Sequence, residues 1–342
     1  MASRSPSRTI PGELALIEAI RRQAGRGSAA SRAVRLGIGD DCAILRPRLG
    51  YEICVTTDFT LEGRHFRRAW HPPESVGHRC LARGLSDLAA MGAEPMAVFL
   101  SLAVPARLPA RWVERFLHGF LSLARRHNVA LAGGDTAESP AIPGSRAGLI
   151  LADIVALGQT PRGKALLRSG ARPGDRIYVT GTLGGAVAEL AALEKSPRRF
   201  AGLTEAARGH PHLYPEPRIA VGRRLRGLAS AAIDVSDGLS TDLTHLCEAS
   251  GVAASIDRAA LPVDPLAQKG ADAIHQALDG GDDYELLFTA APGARVPRRI
   301  AGVPVHGIGE IRKRTRGRDR ITMQTDDGKT VVVRPCGFEH FR

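Results

Sequence analysis

Aromatic residues are scarce in this sequence, ordered cysteine patterns are missing, and no apolar run is long. Phe, Tyr and Trp make up 4% of 342 residues, too few for a surface that stacks nucleic-acid bases. Cys42, Cys54, Cys80, Cys247 and Cys336 are scattered without a C-x-x-C spacing. That argues against a Cys-based zinc site and predicts free thiols in a reducing, cytoplasmic setting. The longest apolar stretch, residues 148–158, is broken by Asp153 and falls short of the ~18 residues that cross a bilayer. No membrane partner is expected. Residues 1–9 are rich in Ser and Arg, with no apolar segment behind them, so no secretory signal is expected. Residues 1–11 are expected to be a disordered tail before a helix near 11–23. Walker A, G-x-G-x-x-G, Ser-His-Asp and Cys-His patterns are all missing, and no internal repeat stands out.

What is present describes a globular chain. Hydrophobic residues account for 44% and charged residues for 24%, and the length suffices for a large core in one or two domains. Lys and Arg number 47 against 35 Asp and Glu, a net charge of +12. The excess is spread as pairs such as Arg21-Arg22, Arg67-Arg68, Arg125-Arg126 and Arg223-Arg224, with one dense run over 312–320. Spread in this way, and with so few aromatics, it argues against a nucleic-acid partner. It would still attract anionic phosphorylated ligands.

Against this basic background the carboxylates recur in one setting. Asp40 and Asp41 sit behind Gly37 and Gly39. A strand over 51–56 is expected to end on Thr57-Asp58. A short strand over 129–132 is expected to end on Gly133-Gly134-Asp135-Thr136. Ile233-Asp234-Val235-Ser236-Asp237-Gly238 precedes a helix that begins near Leu239 and runs to about Ser250. Gly280-Gly281-Asp282-Asp283 leads into a strand over 286–289. Asp87 differs: in a helix over 73–91 it shares one face with Cys80, Gly84, Leu88 and Met91. An unpaired carboxylate on such a stripe is costly, so either a local hydrogen bond or a metal must explain it. Gly181-Thr182-Leu183-Gly184-Gly185 stands between a strand over 176–180 and a helix from Ala186. That geometry can hold phosphate at a helix N-terminus. His65, in a loop, is either a ligand-binding side chain or a surface imidazole.

Each of these acids alone is more often a turn residue than a ligand. Two like charges ~4 Å apart repel by roughly 4 kcal/mol at an effective dielectric of ~20. Repeated acidic turns therefore call for cations. Oxygen-only donors select Mg²⁺, Mn²⁺ or Ca²⁺. Mg²⁺ usually takes one or two carboxylates and completes its shell with water and substrate phosphates. Read from the residues alone, this is a Mg²⁺-dependent enzyme acting on phosphates.

Seven motifs also carry a resemblance. They are Gly37-Ile38-Gly39-Asp40-Asp41-Cys42-Ala43, Thr56-Thr57-Asp58, Ser86-Asp87-Leu88-Ala89-Ala90-Met91-Gly92-Ala93 and Gly133-Gly134-Asp135-Thr136, followed by Arg168-Ser169-Gly170-Ala171-Arg172-Pro173-Gly174-Asp175, Ile233-Asp234-Val235-Ser236-Asp237-Gly238-Leu239 and Gly280-Gly281-Asp282-Asp283-Tyr284-Glu285-Leu286. In this order, over residues 12–341, they resemble the thiamine-monophosphate kinase family. Its wider superfamily includes aminoimidazole ribonucleotide synthetase and selenophosphate synthetase. The resemblance implies a two-domain α/β (α+β) fold. An N-terminal metal- and nucleotide-binding domain (12–160) would pair its sheet in a homodimer, and a C-terminal α/β domain would span 161–342. It implies direct, in-line transfer of the γ-phosphoryl group of ATP to thiamine monophosphate, with several Mg²⁺ ions and no phosphoenzyme. By motif, metal ligands fall on Asp41, Thr56, Thr57, Asp58, Asp87, Asp135, Asp234 and Asp237. Nucleotide contacts fall on Gly134, Asp135, Arg168 and Ser236, and acceptor contacts on His65, Asp282 and Phe338. Asp282 stands where Glu is frequent, Thr56 where Ser occurs and Phe338 where Tyr can stand. The alternatives are an aminoimidazole ribonucleotide synthetase-like ligase, or a non-catalytic protein binding a phosphate ligand or nucleic acid.

Overall fold

The computed structural model describes residues 13–25, 32–38, 41–141, 148–204, 209–269, 272–315 and 320–338. The expected tail 1–11 and Asp40 lie outside them, as does part of the 312–320 run. The chain forms two compact units. One comprises residues 1–84, 95–159 and 193–208, the other 85–94, 160–192 and 209–342.

The first unit runs through helix α1 (Glu13–Gly25), strands β1 (Val34–Leu36), β2 (Ile44–Leu45) and β3 (Tyr51–Leu61), and helix α2 (Pro73–Ala90). It continues with β4 (Glu94–Val104), α3 (Ala110–Arg126), β5 (Ala130–Glu138) and β6 (Leu151–Pro161). α2 and β4 each cross the division, so that residues 85–94 count with the second unit. β1 and β2 form an antiparallel pair. The other strands form a four-stranded sheet in the order β3-β6-β4-β5, with β4 and β5 parallel. α3 buries Val113, Phe116, Leu117, Phe120 and Leu121, the spacing of a helix with one apolar face. Its Trp112, Phe116 and Phe120 continue a row of rings begun by Phe66, with centroids 5.7 to 6.4 Å apart. α2 and α3 approach backbone to backbone. A Cβ at Gly77 would stand 1.9 Å from the Phe116 carbonyl oxygen, and one at Gly119 2.0 Å from that of Glu74.

Two strands are longer than the sequence suggests, and the difference moves candidate residues. β3 continues to Leu61, so Thr56, Thr57 and Asp58 lie within the strand rather than at its end. Its alternation persists: Thr56 and Asp58 are half-buried and Thr57 is exposed. β5 runs on to Glu138, and Gly133, Gly134 and Asp135 pair with Phe99, Leu100 and Ser101 across an irregularity at Val98/Phe99. The glycines here serve a strand. Gly134 has φ +148°, and a Cβ on it would lie 1.9 Å from the Leu100 carbonyl oxygen. β4 is mostly buried within the chain. Among the exposed apolar side chains are Ile53, Val55 and Phe59 of β3, at 46, 60 and 60%.

The second unit continues through β7 (Arg176–Thr180), α4 (Gly185–Lys195), α5 (Ile219–Leu225), β8 (Ala231–Val235), α6 (Leu239–Ser250) and β9 (Ala253–Asp257). It ends with α7 (Ala273–Asp279), β10 (Glu285–Ala290), β11 (Arg299–Ile300), β12 (Val303–Arg312), β13 (Ile321–Gln324) and β14 (Thr330–Val333). Its eight strands run β14-β13-β9-β12-β7-β10-β8, with β11 beside β12. All pairs are antiparallel except β13 with β9. The core gathers Ile177, Val179, Leu239, Leu243, Leu246, Leu287, Ile308 and Ile311. β8 is buried throughout although it is the sheet's last strand, because α6 packs on it and the Leu167 carbonyl takes the Ala232 N–H at its open edge. Among the described residues no helix is long and apolar enough to cross a membrane.

Candidate functional site

In the first unit a cavity of about 460 Å³ lies among Gly37, Asp41, Phe99, Gly133, Gly134 and Asp135. Two of the candidate nucleotide positions and the candidate ligand Asp41 therefore share one concavity. Close backbone approach at Gly134 leaves its wall without a side chain, and Asp135 is exposed, with one carboxylate oxygen taking the N–H of Thr136 at 2.9 Å. Thr56, Thr57 and Asp58 are elsewhere. β3 and β5 are opposite edges of the sheet with two strands between them, a separation of roughly 14 Å at ~4.8 Å per strand. Asp58 is paired with Arg83 Nε at 2.7 Å. Nearby, Asp153 of β6 has its carboxyl pushed above its ordinary value by burial and then by the Asp58 charge. His65 is held by its own loop: the Leu61 N–H donates to Nδ1 at 2.9 Å, and Arg79 Nη2 donates to its carbonyl oxygen at 3.3 Å. With Nδ1 accepting, Nε2 is the nitrogen left to carry a proton.

In the second unit three turns interlock. The first follows β8. Asp234 is buried and accepts the Ser86 hydroxyl at 2.7 Å, and Asp87 stands half-buried next to Ser86. The turn Ser236-Asp237-Gly238 is drawn onto one buried acceptor, Asp242 Oδ2, which takes all three backbone N–H groups at 3.1 Å. The second turn, before β10, docks on the first. The Asp282 N–H donates to the Ser236 carbonyl at 2.8 Å, and the Tyr284 N–H to that of Val235 at 2.8 Å. Asp282 and Tyr284 both have left-handed backbones, φ +66° and +51°, which costs roughly 1–3 kcal/mol each for non-glycine residues. The third comprises Gly337 and Phe338. The Phe338 N–H donates to the Asp237 carbonyl at 3.1 Å, and the residue is 47% exposed. Asp234, Ser236, Asp237, Asp282 and Phe338 are thus brought together. Arg168 is exposed and lies beside the start of β8, where the Leu167 carbonyl takes the Ala232 N–H.

The glycine turn before α4 has another use. Its N–H groups at Gly184 and Ala186 donate to the Asp283 carboxylate at 2.6 and 3.2 Å. The chain's own acid, rather than a phosphate, occupies this helix start. Burial pushes the Asp283 carboxyl up to about 8. Asp283, among the recurring acids of the sequence, is in this way structural.

Among the described residues no group of three or more His, Cys, Asp or Glu side chains is disposed to hold a metal ion by itself. The crowding is nevertheless anionic. Burial first, then Asp234 and Asp237, hold the Asp242 carboxyl well above its ordinary value. A cation between small sets of carboxylates relieves that repulsion, and Mg²⁺ asks the protein for only one or two of them. The oxygen donors present fit such an ion.

Sequence reasoning missed Asp242, Arg218 and the part played by Ser86. Asp242 lies in the first turn of α6, where an acid close behind a Ser-Asp-Gly turn signals capping. Arg218 gave no local signal. It grips Glu285 with two donors, at 2.8 and 2.5 Å, across 67 residues of chain, and Thr180 donates to the same carboxylate at 2.6 Å.

Residues 39–160 match the N-terminal domain of AIR synthase related proteins, and residues 172–318 the C-terminal domain. The thiamine-monophosphate kinase of Salmonella typhimurium is 38% identical over 319 residues, spanning 90% of this chain and 92% of that relative. A crystal structure of thiamine-monophosphate kinase from Stenotrophomonas maltophilia is 38% identical and superposes with a TM-score of 0.76, covering 92% and 96% of the two chains. A structure described as AaThiL complexed with AMPPCP and TMP is 30% identical with a TM-score of 0.73, covering 96% and 97%.

Proposed function

The chain belongs to the thiamine-monophosphate kinase family, and from that premise we propose that it carries out the ATP-dependent phosphorylation of thiamine monophosphate to thiamine diphosphate. Most support comes from the interlock of three turns in the second unit, which joins a buried acid, a hydroxyl and an exposed aromatic residue within a few hydrogen bonds. The solved relative carrying both AMPPCP and TMP lends the substrate pair. An aminoimidazole ribonucleotide synthetase-like ligase is not favoured, because that likeness is one of domain type, whereas the full-length relatives are thiamine-monophosphate kinases.

The acceptor, a phosphate monoester with a second pKa of about 6, already presents an ionised oxygen at neutral pH. No strong general base is required. The demand is for positioning and for relief of repulsion between two anions. Gly134, Asp135, Arg168 and Ser236 contact the nucleotide, Gly134 and Asp135 at the cavity of the first unit. His65 holds the acceptor rather than deprotonating it. Asp282 and Phe338 bind the acceptor's rings. Asp41, Thr56, Thr57, Asp58, Asp87, Asp135, Asp234 and Asp237 would hold several Mg²⁺ ions, one or two carboxylates to each, and these would neutralise charge on the phosphates.

The working form is a homodimer in the cytoplasm. Ile53, Val55 and Phe59 on one face of an edge strand support the first statement, since exposed apolar clusters of this kind mark contact surfaces. Five free cysteines support the second. Sedimentation at micromolar concentration is expected to give a dimer that Val55→Lys with Phe59→Lys converts to monomer. The reaction is tested with γ-labelled ATP, Mg²⁺ and either thiamine or thiamine monophosphate. Label is expected in thiamine diphosphate only with the monophosphate, and none on the denatured protein. Labelled protein, or equal use of unphosphorylated thiamine, would refute direct transfer.

A further inference from the structure

Tyr284 occupies a backbone position that its side chain does not favour. A bulky residue at φ +51° is a genuine outlier where Gly or Asn would fit with less strain. It is also buried, at 3% exposure, yet its phenol is not idle. Tyr284 Oη donates to Asp282 Oδ1 at 2.7 Å. On the other side, His212 Nδ1 lies 3.7 Å from Asp282 Oδ2. His212 is itself buried and firmly anchored: its backbone N–H and that of Leu213 donate to Glu189 Oε2 at 2.8 and 3.2 Å, and the His210 ring meets Oε1 of the same acid at 2.5 Å. Asp282 keeps 27% of its side chain exposed, so its carboxylate is reachable although both oxygens have neighbours.

A carboxylate at the edge of a site for phosphates needs a reason, because it repels them. Thiamine supplies one in its thiazolium ring, whose quaternary nitrogen carries a positive charge but no proton. Such a cation cannot be recognised by donating a hydrogen bond. It is recognised by an oriented negative charge or by an aromatic face. We propose that Tyr284 is a positioning residue for acceptor recognition, its phenol locking Asp282 between itself and the His212 ring as a fixed negative charge for the thiazolium. The short Asp side chain suits this role, since one fewer rotatable bond leaves less freedom to be frozen. The strained turn is the device that brings phenol and carboxylate together two residues apart. The inference rests on the reading of Asp282 as an acceptor contact.

The test compares Tyr284→Phe with Asp282→Asn in steady-state kinetics, with ATP and Mg²⁺ saturating. A phosphorylated neutral thiazole, which lacks the ring charge, serves as a competitor. Tyr284→Phe is expected to raise KM for thiamine monophosphate about tenfold, the worth of one hydrogen bond to a charged group. Its kcat should stay within about twofold, with KM for ATP and inhibition by the neutral thiazole phosphate unchanged. Asp282→Asn should show the same pattern more strongly. If Asp282→Asn leaves KM for thiamine monophosphate unaltered, the acceptor reading of Asp282 is wrong, and the proposal falls with it. If Asp282→Asn raises that KM and Tyr284→Phe does not, the acceptor reading stands and the proposal alone is overturned. Parallel losses for ATP, or equal weakening of the neutral competitor, would mark Tyr284 as merely structural and overturn it as well.

Discussion

Asp58 and Asp135 of the first unit ride on strands, whereas Asp237 and Asp282 of the second sit in turns next to a strand. Asp58 and Asp135 belong to opposite edges of one sheet, and their positions follow from strand register. Asp237 and Asp282 are held by hydrogen bonds of their turns, with Asp242 drawing three N–H groups inward, while Asp234 is set by β8 opposite Leu286. A register-set residue moves only if the sheet moves. A turn-set residue depends on a few named partners, so single substitutions should separate the two regions.

The largest effect is expected for Asp234→Asn. It keeps an acceptor for the Ser86 hydroxyl but removes the buried charge, and kcat should fall by about a thousandfold, ~4 kcal/mol of transition-state stabilisation. Thermal unfolding should shift little. Near-normal turnover would show that the second region is not where phosphate charge is managed.

Gly134→Ala probes the first region at its backbone. Its added Cβ would lie 1.9 Å from the Leu100 carbonyl oxygen, at φ +148°, and either β4 or β5 must shift. A loss of about 3 kcal/mol is expected from denaturant unfolding. A wild-type midpoint would mean that register is looser than the pairing suggests.

Asp283 sharpens the contrast through pH. Its folded value of about 8 lies above the unfolded value of ~3.9, so the folded chain binds the extra proton. The stabilising contribution is full below about pH 4 and is lost as pH rises through about 8. Between pH 5 and 7 it should cost up to roughly 2–3 kcal/mol. Asp283→Asn should flatten that slope in denaturant unfolding measured at both pH values, and an unchanged slope would assign the pH dependence elsewhere.

The smallest effect is expected at the Asp58–Arg83 pair, whose side chains are 21 and 16% exposed. Asp58→Asn should change unfolding free energy by about 1 kcal/mol or less, because the strand, not the ion pair, fixes the position. A loss several times larger would make the pair, rather than register, the organiser of β3.

Much of the second region was legible beforehand. Strand 176–180 and the helix that begins near Leu239 emerge as β7 and α6, because Gly181 and Gly238 punctuate apolar segments of ordinary length. The first region was harder to read. Thr57-Asp58 and Gly133-Gly134-Asp135 resemble strand ends, since Gly and Asp favour turns for local reasons. In both, sheet pairing overrides that preference and carries the strand onward. The phosphate-cradle reading of Gly181–Gly185 failed for a related reason: the acceptor at that helix start is the Asp283 carboxyl group, about a hundred residues away.

By itself, the amino-acid order determined the family, through motifs whose sequence along the chain needs no coordinates, and it determined which segments are apolar enough to be strands and helices. Those are properties of neighbouring residues. Tertiary structure alone decided that Asp242 gathers the Ser236–Gly238 turn, that Arg218 and Thr180 share Glu285, and that Tyr284 faces Asp282 on a strained backbone. It also decided that Asp283 is spent on a helix N-terminus while Asp282, next to it, stays accessible. Adjacent residues of one type differ in this way because burial and hydrogen-bond partners come from distant segments, and local sequence carries no record of which segment will arrive.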